Sequence, residues 1–198
     1  ELVHFVFNAE VASDPGDPDT FEEAWYGKDQ KHWRVSHVKE IMNFTERGSW
    51  EKVPRKEAED SGQSIIGTKA VYKSKDEPDG TIKYKTRIVS KGYAFIPGVD
   101  YDESFAPVAQ DLSTRMCITI GLYHWQLGWV IVIVDVSGAF LEGPLAKPVY
   151  IEWPPGMVEA GILTEEELKT TVAKLVKGMY GNPDSALMFF REQKRVLI

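Results

Sequence analysis

Cysteine is almost missing from this chain. Cys117 is the only one, which excludes an internal disulfide framework and points to a reducing compartment. No apolar run approaches the roughly 20 residues needed to cross a bilayer. The opening Glu1-Leu-Val-His-Phe-Val-Phe-Asn8 has neither the basic part nor the long apolar part of a secretory signal. The expectation is therefore an intracellular protein with no membrane partner, in the cytoplasm or the nucleus, in which the sequon Asn43-Phe-Thr45 is idle. Repeats and low-complexity tracts are absent. An excess of basic residues is absent too: the net charge is -7, which taken alone argues against a polyanionic partner. That argument weakens once the charge is located. Residues 1–30 hold eight acidic side chains against Lys28 alone, which accounts for the whole excess. With Pro15, Gly16 and Pro18 in its middle, residues 1–20 read as an acidic leader or linker. Histidine is scarce, and His32 and His37, five apart, fall on different faces of a helix, so no histidine stands at ligand spacing.

What is present is enough for a core: 43% hydrophobic and 12% aromatic residues, on a chain of one-domain length. Thr20 to Arg47 has helical periodicity, with Val35, Val38, Ile41, Met42 and Phe44 as core positions and Gly48 as a stop. Trp50–Pro54 reads as a short strand and 55–64 as a polar loop. Ile66 to Gly92 is a hairpin turning through Asp76-Glu-Pro-Asp-Gly80. A helix capped by Asp111 or Ser113 runs to about Leu127, its stripe formed by Leu112, Met116, Ile120, Tyr123 and Leu127. Strands are expected at 148–153 and 172–176, a short helix at 164–168, and an amphipathic helix over 184–198. This order of elements predicts an α+β fold.

Two features carry chemistry. Ile131-Val-Ile-Val134 reads as a strand buried on both faces that delivers Asp135 into a turn through Ser137 and Gly138. A carboxylate there is either a cap for the turn or a metal ligand, and the segment alone leaves both open. The second feature is the hairpin. Lys69, Lys73 and Lys75 on one arm, and Lys83, Lys85, Arg87 and Lys91 on the other, all occupy odd positions, so each arm gathers its cations on one face. Such a face is either a solvated surface or a polyanion-binding ribbon whose self-repulsion a partner relieves. Asp100, Asp102 and Glu103 lie in a loop and are either a metal site or acids bonded to local backbone N–H groups, the second being the simpler reading.

These segments, taken in order, resemble a known family. Trp33…Glu40, Trp50-Glu-Lys-Val-Pro54, Val71-Tyr-Lys-Ser-Lys75, Asp79 through Tyr93, Gly98 through Val108, Asp135-Val-Ser-Gly-Ala-Phe-Leu-Glu-Gly143, Val149-Tyr-Ile-Glu-Trp-Pro-Pro-Gly156 and Met179-Tyr-Gly181 are similar to the Ty1/copia-type reverse transcriptase of LTR retrotransposon Pol polyproteins. The resemblance implies a right-hand polymerase over 21–198, mostly antiparallel sheet with flanking helices, with the hairpin as fingers and Asp135 in the first part of the palm. It implies dNTP addition to a primer on an RNA or DNA template, with two Mg²⁺ ions. Asp135 would be the catalytic metal ligand, assisted by the backbone carbonyl of Val136. Phe140 would be the aromatic gate beneath the incoming sugar. Lys85 and Arg87, with Lys73, would clamp the triphosphate or the template backbone, and Lys69, Lys75, Lys83 and Lys91 would contact the nucleic acid.

The departures matter as well. Asn182-Pro-Asp184 stands where the family reads Leu-Lys-Gln, Phe95 and Ile133 replace glutamines, and the paired aspartates of Tyr-x-Asp-Asp would lie beyond Ile198, with the remaining palm, thumb and RNase H. The fragment is accordingly expected to be inactive alone and poorly soluble, with apolar surface uncovered. The alternative is a decayed or co-opted fragment acting as a non-catalytic nucleic-acid-binding or interaction module.

Overall fold

The structure, a computed structural model, describes residues 16–197. The greater part of the predicted leader thus lies outside the described residues. Its last few residues are tied down: Asp17 Oδ1 accepts from the Ser74 amide at 2.8 Å, and Thr20 caps the first helix through the Glu23 amide.

The predicted first helix is two helices, α1 (Phe21–Tyr26) and α2 (Gln30–Glu46), separated at Gly27–Asp29, where Asp29 takes a left-handed φ of 58°. Four residues of α2 are buried, Trp33, His37, Ile41 and Phe44, a spacing that keeps one stripe inward. The expected core position Val35 is 70% exposed and Met42 39% exposed. The stripe runs one residue off the aliphatic pattern because aromatic and imidazole rings fill the space beside the hairpin.

β1 (Trp50–Pro54) is followed by α3 (Arg55–Asp60), a single helical turn or so where a polar loop was expected; it buries Ala58. β2 (Ile65–Ile66), β5 (Pro144–Ile151) and β6 (Thr171–Lys177) complete a four-stranded sheet of order β1-β6-β5-β2. β6 pairs antiparallel with both β1 and β5, and β2 lies parallel to β5. β3 (Thr68–Asp76) and β4 (Ile82–Ser90) form the predicted hairpin as a separate two-stranded sheet. α5 (Glu165–Thr170) opens with a Thr164/Glu167 capping box, and α6 (Ser185–Leu197) closes the described chain.

One core joins these pieces. Ile41 and Phe44 of α2 meet Ile66, Ile88, Val149, Ile151, Ala173 and Leu175, and Phe44 stacks on Trp50 at 4.8 Å. A second cluster seats the hairpin's even-numbered face on the helices through Ala24, Trp33, Ala70 and Tyr72. Between the two clusters lies His37, fully buried. Its Nε2 is 2.8 Å from the Pro155 carbonyl and its Nδ1 2.9 Å from the Tyr72 hydroxyl. The carbonyl can only accept, so Nε2 carries the proton and Tyr72 donates to Nδ1.

The buried strand expected at Ile131–Val134 is not there. Residues 129–136 belong to no helix or strand and have no sheet partner among the described residues, and Ile131, Val132, Ile133 and Val134 are 46%, 72%, 94% and 77% exposed. The run has strand composition, but a strand exists only as half of a pair. Among the described residues no strand of either sheet pairs with it. The same applies to the next element upstream. α4 (Asp111–Tyr123) forms, yet Leu112, Met116, Ile120 and Tyr123 are all exposed, and only Gly121 is buried, against Ile131. The arm from α4 to Val136 therefore presents its apolar side outward.

Candidate nucleotide and nucleic-acid interface

The hairpin register settles which faces meet. Lys73 stands opposite Lys85, Lys75 opposite Lys83, Val71 opposite Arg87 and Lys69 opposite Val89. Six cations thus share the odd face, while Tyr72, Thr86 and Ile88 are buried on the other. Lys91 falls beyond β4, its stem lying over Gly67, and is not part of the ribbon. The ribbon is not uniform. Lys69, Lys75, Lys83 and Lys85 are exposed, but Lys73 is half-buried and pairs with Asp17 at 3.3 Å. Lys83 lies 3.6 Å from Glu77. Adjacent like charges opposite one another across a strand pair repel, and these two carboxylates relieve part of that.

Asp135 is exposed at the start of a tight turn. The turn owes its shape to Gly138, at φ 68°, whose carbonyl accepts from the Leu141 amide at 2.8 Å. Leu141 is fully buried and anchors the far side. Arg47, at the end of α2, braces both ends of the turn: its guanidinium donates to the Ser137 carbonyl at 3.4 Å and pairs with Glu142, while Nε holds Asn43 at 2.7 Å. The Arg47 carbonyl in turn accepts from Lys177 Nζ at 2.6 Å. Nothing in the sequence pattern pointed to Arg47, because the contact spans about ninety residues and only the tertiary fold makes it.

Beyond the turn, Phe140 meets Tyr180 edge-on at 5.7 Å, and the Arg87 guanidinium lies 5.6 Å over the Tyr180 ring. Phe140 and Arg87, predicted from separate segments, are thus brought together through a residue that was quoted only as part of a motif. Tyr180 is fixed by its backbone. It forms a parallel bridge with Val89, and its carbonyl accepts from the Ser90 amide at 2.8 Å. The two chains cross so closely that a Cβ on Gly92 would lie 2.6 Å from the Gly181 carbonyl, so the crossing needs glycine. Asn182, one of the departures, serves this crossing: its side-chain oxygen accepts from Ser90 Oγ at 2.7 Å. Glu40 of α2 lies behind Arg87 and Lys85. Burial pushes its carboxyl pKa up, against the pull of the Ile88 amide and the two cations.

Asp184 does not face this assembly. It is 5% exposed and lines a cavity of about 250 Å³ with Asp100, Asp102, Glu103, Lys147 and Arg191. One of its oxygens has no hydrogen-bond partner, and burial raises its pKa. Asp102 pairs with Lys147 at 2.8 Å and Glu103 with Arg191 at 2.7 Å. Asp100 bonds the Ile96 amide at 2.7 Å, the local backbone role expected of a loop acid. Among the described residues no group of three or more metal-ligating side chains converges. The Asp135 carboxylate and the Val136 carbonyl are oxygen donors of the kind a divalent cation takes, but two donors do not make a two-ion centre.

The hairpin's cations, the exposed Asp135 turn and the Arg87–Tyr180–Phe140 contact thus lie on one α+β scaffold. Residues 53–198 match the family described as reverse transcriptase (RNA-dependent DNA polymerase), and the chain belongs to that family. It is similar to the retrovirus-related Pol polyproteins from transposons RE1 and RE2 of Arabidopsis thaliana, each 31% identical over 86% and 84% of this chain. The Pol polyprotein from transposon TNT 1-94 of Nicotiana tabacum is 29% identical over 86% of it. The chain spans only 11%, 11% and 12% of the length of these relatives. No solved structure matches it. Among the described residues no helix is long and apolar enough to cross a membrane.

Proposed function

We propose that residues 21–198 are the fingers and the first part of the palm of an RNA-directed DNA polymerase within a copia-type Pol polyprotein, preceded by an acidic linker over 1–20. The observation that carries this reading is the contact of Arg87 and Phe140 through Tyr180 beside the Asp135 turn. A cation for the triphosphate, an aromatic for the sugar and a carboxylate for the metal then lie along one path. The substrates are a template–primer and dNTPs. Mg²⁺ is the expected ion, completed by ligands from the rest of the polyprotein, and the odd face of the hairpin contacts phosphates. Primer extension by the polyprotein carrying this segment tests the assignment. Asp135→Asn should reduce incorporation by several orders of magnitude without altering template binding; unchanged activity sinks it.

Asp184 supports a second reading. An acid where the family carries an amide, turned into a cavity of its own, fits a segment released from catalytic constraint and retained as a nucleic-acid-binding module. Under that reading the chain binds nucleic acid through the hairpin, and Asp135→Asn has no effect in any assay.

A further inference from the structure

We infer that Tyr180 is a specificity-determining positioning residue, which sets the Phe140 ring and the Arg87 guanidinium relative to each other so that sugar selection and triphosphate binding are coupled. The inference rests on the polymerase reading and goes beyond it, since neither the family match nor the sequence pattern gives Tyr180 a role.

Phe140 sits in a short turn and Arg87 on a strand of the other sheet, and each is needed at one end of a single nucleotide. An exposed arginine on a two-stranded ribbon samples many rotamers, and fixing it costs entropy. Tyr180 removes much of that freedom with a ring beneath the guanidinium at 5.6 Å. The same ring presents its face or edge to Phe140 at 5.7 Å and 81°, a T-shaped geometry that resists tilting of the gate. Tyr180 cannot easily yield, because its carbonyl is held by the Ser90 amide at 2.8 Å and the neighbouring Gly92–Gly181 crossing leaves no room. A gate works only if a 2′-hydroxyl meets a wall that does not move. Tyr180 supplies that stiffness, and it places the wall at a fixed distance from the cation that holds the phosphates.

Two variants separate the ring from the hydroxyl. Tyr180→Phe keeps the ring and removes the hydroxyl; Tyr180→Leu removes both. In primer extension by the polyprotein carrying this segment, Tyr180→Phe should leave the dGTP KM within about twofold and discrimination against GTP intact, because both contacts are made by the ring. Tyr180→Leu should raise KM and also relax discrimination about tenfold, matching Phe140→Ala in direction while kcat for dGTP stays within a few-fold. A merely structural role predicts loss of active enzyme with KM and discrimination unchanged, and that outcome overturns the inference, as does a Tyr180→Leu enzyme that behaves as wild type. In the 198-residue chain itself, the side-chain protons of Arg87 should be shifted upfield by the Tyr180 ring in NMR spectra, should stay so in Tyr180→Phe and should lose the shift in Tyr180→Leu. Absence of that shift in the wild type also overturns it. Failure of the polymerase reading is recognised separately, by Asp135→Asn leaving activity untouched.

Discussion

His37 shows how far one side chain can differ from its appearance in sequence. It is fully buried and bonded at both ring nitrogens, so it is neutral and spans α2, β3 and the loop at Pro155. Burial lowers its pKa below the usual 6.5, with the Pro155 bond and Glu159 opposing. The unfolded chain therefore takes up the proton first on acidification. Stability from this site is complete above about pH 6.5 and is lost as pH falls through the lowered folded value. Urea midpoints measured between about pH 7 and pH 5 should fall, and His37→Gln should flatten that part of the profile. Asp184 has the opposite sign. Its raised pKa means the ionised form is the costly one in the fold, so Asp184 destabilises increasingly as pH rises through the carboxylate range. Asp184→Asn should raise the urea midpoint at neutral pH by about 1–2 kcal/mol equivalent, and by much less near pH 4.

Among the elements, the β3–β4 ribbon and the Asp135 turn are the ones on which the proposed function rests. Binding of a single-stranded oligonucleotide by the ribbon should weaken steeply with salt. Replacing both Lys85 and Arg87 by Gln should lower the log–log slope by roughly 1.4 if each contacts one phosphate. Lys73→Gln should change the slope less, because Asp17 already pairs with Lys73. A slope indifferent to the double substitution would remove the hairpin from the interface. The turn is held from outside by Arg47, which lies upstream of the family-matched residues 53–198. Arg47→Ala should speed hydrogen exchange at the Leu141 amide, which bonds Gly138 across the turn, and leave exchange in β6 unchanged.

For the whole molecule, the dominant fact is uneven covering. The core of α2, the hairpin and the four-stranded sheet is well buried, whereas the arm from α4 through Val136 exposes a row of Leu, Met, Ile and Val side chains. Contiguous apolar surface of this kind favours association. The isolated chain should self-associate as concentration rises, seen by light scattering. The double substitution Leu112→Glu with Ile133→Glu should suppress this without lowering the melting temperature, since neither side chain is in the core. A monodisperse wild-type chain at high concentration would contradict the expectation.

Local order was legible in the sequence where composition and periodicity suffice. β1 spans the predicted residues Trp50–Pro54, the hairpin turns where Asp76–Gly80 said it would, and the short helix after Thr164 and the closing helix stand near where expected. The register that puts Lys73 beside Lys85 follows from side-chain alternation once the turn length is known. The resemblance to the family was legible for the same reason, being carried by short segments in order. Tertiary structure decided the rest. Whether Ile131–Val134 is a strand depends on a partner, which its own residues cannot supply. Which stripe of α2 is buried depends on the rings it meets, so His37 is inside and Val35 outside. The joining of Arg87 to Phe140 through Tyr180, the brace from Arg47, and the turning of Asp184 away from both are contacts between segments far apart in the chain. Periodicity fixes what an element is, and only packing fixes what it touches.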